Sequence, residues 1–223
     1  MDPIKHPPTD LTAEANHRFA NALSLLSGLV RMQAKAAGRT TRPFTNAEVR
    51  LMLDGIAARI STLGQLHRLL SQGPADGAVA LKSHLRDIGG NLVAAFSSEQ
   101  RPVSIDYAGG DYLVPAKYVQ PITLILCEIL TNAMKYSHPA GVAVRIALLC
   151  EAARDGTLQV TVSDDGIGLP EGFDTIKDGG LGFRIIRTLT SELNAGLDVF
   201  SDNLGTTFRL SVPQALVASV QTA

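Results

Sequence analysis

Three short stretches in the second half of this 223-residue chain concentrate side chains that folding alone does not require. The first, ILCEILTNAMKYSHP, spaces Glu128, Asn132 and Lys135 by four and then three residues, so on a helix they share a face opposite Ile125 and Ile129. Glu128 and Asn132 are hard oxygen donors suited to Mg²⁺ or its waters, and Lys135 can meet a phosphate as a point charge. The plainer reading of the row is a solvated polar face. The second stretch, VSDDGIGLP, follows the alternating run TLQVTV, which puts Asp164 at a strand end with Gly166 and Gly168 just beyond it. A carboxylate there accepts from an exocyclic amine such as that of adenine, and the glycines let backbone pass close to a ligand. A turn after a strand explains the same residues. The third, DGGLGFRII, carries Gly180 and Gly182 into a helix start near Leu181. Backbone N–H groups and the positive helix end then face whatever sits there, which makes a phosphate cradle or simply a loop and a cap. Further on, GTTFRL sets Thr206 and Thr207 at the head of a strand, placed to reach a phosphate or to close a hairpin.

A fourth candidate stands in the first half, in EANHRFANALSLLSGL. At 100° per residue Phe19, Leu23, Leu26 and Val30 form one stripe, and Glu14, His17, Asn21, Ser24, Gly28 and Arg31 form the opposite one. His17 therefore faces away from the apolar side. After the breaker-rich AGRTTRPF, TNAE supplies a capping box between Thr45 and Glu48. Val49, Leu53, Ile56, Ile60, Leu63, His67 and Leu70 then alternate spacings of four and three, a heptad seam that wants a partner helix. Two such helices form a hairpin, and a second copy of the chain would complete a four-helix bundle, a homodimer.

SQGPADGA marks a boundary, giving a helical domain over residues 1–76, a second domain over 77–213 and a tail over 214–223. The second domain reads as a helix over Leu81, Leu85, Ile88, Leu92 and Phe96, a strand at PVSIDY, and a helix over 116–136. Strands over 142–150 and 157–163, a helix at LGFRIIRTLTSEL and a closing hairpin around DNLG complete it. That order predicts an antiparallel-rich sheet with helices on one face, an α+β sandwich.

Composition narrows the partners. A net charge of −1, with 18% charged and 45% hydrophobic residues, gives no overall pull toward nucleic acid or acidic lipid. The start has no apolar run of signal-peptide length and no stretch qualifies as a membrane span, so the expectation is a cytoplasmic protein. Cys127 and Cys150, far apart and without CxxC or nearby histidine, read as reduced packing residues. Among the other histidines, His67 reads as an interface residue, His6 and His84 have no partner in sequence, and His138 meets phosphate or nothing.

Together and in order, these stretches resemble the N, G1, G2 and terminal Gly-Thr boxes of the gyrase, Hsp90, histidine kinase and MutL ATPase superfamily, over roughly residues 80–213. The resemblance implies a Bergerat ATP-binding fold. In it Asp164 reads adenine, Asn132 holds Mg²⁺, Glu128 lies close to the metal or the reacting phosphate, and residues 169–180 form a lid over ATP. The first half resembles the phosphoacceptor helix of histidine kinases of the His-Arg-x-x-Asn type, relatives of the HWE group, with His17 as acceptor. The chain has no tryptophan, so the Trp-x-Glu signature of that group is absent, Cys127 stands where it often has histidine, and Ala20 replaces a lysine common in related helices. A sibling subfamily therefore fits better. The family implies ATP-dependent phosphorylation of His17 and transfer to an aspartate on the receiver domain of a response regulator. Glu14 would orient or deprotonate His17, and Asn21 would assist removal of phosphate from the regulator. Input would come from a separate sensor protein or a sensor domain absent from this chain. The competing expectation is a phosphotransfer protein of the same fold that shuttles phosphate without ATP.

Overall fold

The computed structural model describes residues 42–72, 77–139 and 141–213, together with positions 20, 23, 24, 27, 28, 30, 31, 34, 35, 37 and 38. His17, Glu14, Asn21 and the C-terminal tail lie outside the described residues. Of the described positions before residue 42, all but Gly38 are helical, as the stripe of the first helix predicts.

Helix α1 spans Asn46–Gln72. Its start is the capping box read from TNAE: the Glu48 amide donates to Thr45 Oγ1 at 3.2 Å, and the Thr45 amide donates to Glu48 Oε2 at 2.9 Å. Arg42 clamps the same carboxylate through both terminal nitrogens. The heptad seam is only partly covered within one chain. Leu63 is buried, whereas Val49, Leu53 and Ile60 are 42%, 60% and 54% exposed, the surface a partner helix would cover.

Strand β1 (Ala78–Ala80) leads into helix α2 (Leu81–Phe96), whose Leu81, Leu85, Ile88 and Leu92 are buried at helical spacing. Strand β2 (Val103–Gly109) and the short β3 (Leu113–Pro115) precede helix α3 (Ala116–Tyr136). Then come β4 (Val144–Ala152), β5 (Leu158–Asp164), helix α4 (Leu181–Glu192), β6 (Gly196–Asp202) and β7 (Gly205–Val212). The main sheet runs β2-β4-β5-β7-β6. Only β2 and β4 pair parallel; the other three neighbour pairs are antiparallel. Strands β1 and β3 form a separate two-stranded ladder, which three-residue strands, too short to show a period, had not revealed.

Alternation fixes the sheet's buried face. Val144, Ile146, Leu148 and Cys150 on β4, Leu158, Val160 and Val162 on β5, and Phe208, Leu210 and Val212 on β7 all point into one core. Helices α2, α3 and α4 cover it, so this part of the chain is the expected α+β sandwich. Helix α3 is the spine of the layer: Ile122, Ile125, Leu126, Ile129, Leu130 and Met134 are each at most 1% exposed. At about 1.5–3 kcal/mol per buried aliphatic side chain, this face fixes the helix's rotation and thereby the direction of Glu128, Asn132 and Lys135.

Candidate functional site

Strand β5 ends at Asp164 beside the start of β7, with Ser163 paired to Thr207, so the pleat brings Asp164 next to Thr206. Its Oδ1 accepts from the amides of Gly166 at 3.0 Å and Thr206 at 3.3 Å. Both bonds fall on one oxygen, which leaves Oδ2 for a ligand. Burial raises the Asp164 pKa above the usual carboxylate range, against the pull of those two amides. Thr206 thus serves the site through its backbone amide, while the Thr207 hydroxyl is 2.9 Å from that of Ser163 and does not line the cavity.

That cavity, about 880 Å³, is of the size that holds nucleotide-sized ligands. Asn132 and Lys135 line one wall, Asp164 and Gly168 another, and Gly180 and Gly182 close the end formed by α4. Phe173, Phe183 and Phe208 give it an apolar side, with ring centroids 5.8 and 5.9 Å apart. Gly180 caps α4 in an extended conformation with no side-chain bond to the helix, so the amino end keeps backbone N–H groups for an anion. Gly182 is there for closeness: a Cβ would stand 3.0 Å from Glu128 Oε2 and 3.4 Å from Asn132 Nδ2. The segment from Leu169 to Gly180 is tied to β6 and α4, the Leu169 amide donating to Ser201 Oγ at 2.7 Å and Arg187 to the Thr175 carbonyl at 2.8 Å.

The polar row on α3 is not a solvated face. Glu128 is 3% exposed, and both of its oxygens are taken by Arg59 of α1: Nε to Oε1 at 2.5 Å and Nη2 to Oε2 at 2.7 Å. In this arrangement it does not line the cavity itself. The cause is the packing of α1 over this end of α3, which the sequence of either helix alone does not specify. Asn132, by contrast, presents a carboxamide at the cavity wall and suits a hard cation such as Mg²⁺. Lys135 is half-buried, and burial, with Arg59 nearby, lowers its pKa to about 8. Gly166 supports Asp164 through its amide rather than lining the cavity, and Cys127 and Cys150 are buried free thiols.

Two other histidines have defined surroundings. His138 Nε2 lies 3.0 Å from Asp165 Oδ1, which also accepts from the Arg145 amide. His84 is buried in α2, where burial lowers its pKa. Lys35 and Arg59 also reach the cavity, from the helical segment. Arg59 does fall in a stripe of its own, Gly55-Arg59-Thr62, with the same four-three spacing as the row on α3. Among the described residues no helix is long and apolar enough to cross a membrane.

Comparison with known proteins bears on both halves. Residues 118–216 match the histidine kinase-, DNA gyrase B- and HSP90-like ATPase family, and residues 14–96 match a histidine kinase family. A blue-light-activated histidine kinase 2 of Erythrobacter litoralis is 27% identical over 207 residues, covering 90% of this chain and 56% of the relative. The sensor histidine kinase PdtaS of Mycobacterium tuberculosis is 31% identical over 186 residues, covering 82% of this chain and 35% of the relative. The chain thus spans about half the length of one and a third of the other. The solved structure of the Erythrobacter litoralis EL346 blue-light activated histidine kinase superposes with a TM-score of 0.71 at 25% identity, over 96% of this chain and 63% of that one. The isolated histidine kinase domain of EL346, 24% identical, shares the fold with a TM-score of 0.65, over 85% of this chain and 96% of that one.

Proposed function

Given that this chain belongs to the protein histidine kinases and carries both their histidine kinase segment and their ATPase-like domain, we propose that it phosphorylates His17 from Mg·ATP and passes the phosphoryl group to an aspartate on a response-regulator receiver domain. The reading rests above all on the convergence of Asn132, Lys135, Asp164 and the amino end of α4 on one cavity. Asp164 Oδ2 accepts from the adenine amine, with Gly166 and Thr206 holding the carboxylate in place. The amino end of α4 and Lys135 would meet the charge of the triphosphate. Asn132 would hold Mg²⁺, which neutralises the phosphate oxygens when bound.

Phosphoryl transfer asks little covalent work of the protein; it needs the terminal phosphate and the attacking nitrogen held in line. A neutral imidazole is nucleophilic, and on the helix read from the sequence Glu14 would fall one turn before His17 and orient it. Asn21 one turn after it is placed to serve regulator dephosphorylation. The domain division at residues 76/77, a homodimer closed by the exposed seam of α1, and input from a separate sensor protein or a sensor domain outside this chain belong to the same reading.

The test is the source of the phosphate. Incubated with γ-labelled ATP and Mg²⁺, the protein takes up label, and a receiver domain added afterwards removes it. Uptake only from a phosphorylated receiver domain, with none from ATP, would make it the ATP-independent shuttle instead.

A further inference from the structure

Three contacts tie α1 to α3, and they form an antiparallel ladder. Lys135 Nζ lies over Gly55, in the space a side chain there would fill. Arg59 grips Glu128 through two bonds of 2.5 and 2.7 Å, with side-chain exposures of 13% and 4%. Thr62 Oγ1 stands 3.7 Å from Cys127 Sγ. The helical segment therefore inserts a cation into the cavity wall, of which Arg59 is itself part. In this arrangement each oxygen of Glu128 holds a charge-assisted bond from Arg59, which competes with a metal-bound water or a proton for the carboxylate.

Breaking a buried ion pair by removing one partner is costly, since it strands a charge away from water. Mg·ATP would offer a replacement to both partners at once: a hydrated dication for Glu128 and a triphosphate for Arg59. Exchange of the pair for the ligand leaves no charge unpaired.

We propose that Arg59 is an interdomain latch: its bidentate pairing with Glu128 docks the nucleotide-binding domain on α1 and withholds Glu128, and phosphoryl transfer to His17 starts from the state in which Mg·ATP has opened that pair. The inference rests on the kinase reading above, and it makes Arg59 a positioning residue that acts through Glu128.

Cys127 reports the opening without reference to catalysis. It sits under Thr62 in the α1–α3 interface, while Cys150 lies in the core of the sheet and serves as an internal control. Burial pushes both thiols up to about 12, so each labels only when its surroundings open. In the full chain, maleimide labelling followed by mass spectrometry gives the two rates separately. Arg59→Gln is expected to speed labelling of Cys127 about tenfold and leave Cys150 unchanged, the factor expected for losing a charge-assisted bond pair. Saturating Mg·ATP is expected to speed Cys127 in the unmodified protein as well, an arm that does not depend on a variant folding. The initial rate of His17 phosphorylation is expected to rise several-fold in Arg59→Gln. Unchanged Cys127 labelling in both arms overturns the latch. So does faster labelling combined with lost phosphorylation, because Arg59 would then serve transfer rather than restrain it. If the unmodified protein takes up no phosphate at all, the kinase reading fails, and the Arg59→Gln labelling arm still decides whether the pair holds the domains together.

Discussion

Lys135 gives the site a pH dependence that its chemistry alone would not suggest. A lysine in water stays charged well past pH 9, but burial and the nearby Arg59 bring this one to about 8. In the free protein it is then about 90% protonated at pH 7 and about 10% at pH 9. A bound triphosphate favours the ammonium, so the bound-state pKa is higher than the free one and binding takes up a proton as pH rises through 8. Affinity is therefore full below pH 7 and falls about tenfold between pH 7 and 9, a loss of roughly 1.4 kcal/mol. A terminal phosphate with a second pKa near 6 is already ionised across this window and adds no opposing slope. The Cys127 and Cys150 thiols titrate only near 12. Isothermal titration of the protein with Mg·ATP at pH 7, 8 and 9 measures the slope directly. Lys135→Arg, which keeps its charge throughout, should bind with no loss between pH 7 and 9. A flat profile in the unmodified protein, or the same slope in Lys135→Arg, would refute the assignment.

Asp164→Asn replaces an acceptor-only group by one that also donates, and nucleotide affinity should fall about 10- to 100-fold, with the circular dichroism spectrum unchanged. Unchanged affinity for Mg·ATP would remove Asp164 from base recognition. Gly182→Ala places a Cβ 3.0 Å from Glu128 Oε2, so affinity should drop several-fold while the melting temperature holds or rises, alanine being the better helix former. Equal affinity in the two proteins would show that the close approach of α4 to α3 does not matter. Thr45→Ala removes the capping hydroxyl that receives the Glu48 amide and should cost about 1 kcal/mol, read by calorimetry as about 2–4 °C in melting temperature. Thr45→Ser, which keeps the oxygen, should melt within a degree or so of the parent.

What the sequence made legible was whatever depends on one element at a time. The capping box at Thr45 and Glu48, the helical spacing of Leu81, Leu85, Ile88 and Leu92, and the alternation along β5 and β7 each follow from local geometry, and each stands in the structure. Asp164 was legible for the same reason, as a carboxylate at the end of an alternating run followed by glycines. Arg59 was not. It lies in a long amphipathic helix where an arginine is ordinary, and only the docking of α1 on α3 turns it into Glu128's partner. The same docking converts the polar row of α3 from an open face into a half-covered one. Thr207 is hard to read because a hydroxyl at a strand head looks alike in sequence whether it points to a ligand or, as here, stands beside Ser163 on the neighbouring strand. His138 illustrates the converse: Asp165, 27 residues further on, reaches it only because β5 returns beside β4 and sets the loop after it against the end of α3.

The central claim is that a nitrogen of His17 receives the γ-phosphate. The direct measurement is to incubate the protein with γ-labelled ATP and Mg²⁺, then divide the product between acid and alkali, with His17→Ala alongside. A phosphoramidate is lost in acid and survives alkali, so the account predicts acid-labile, alkali-stable label in the parent and none in His17→Ala. Label that survives acid, or that persists in His17→Ala, would contradict it.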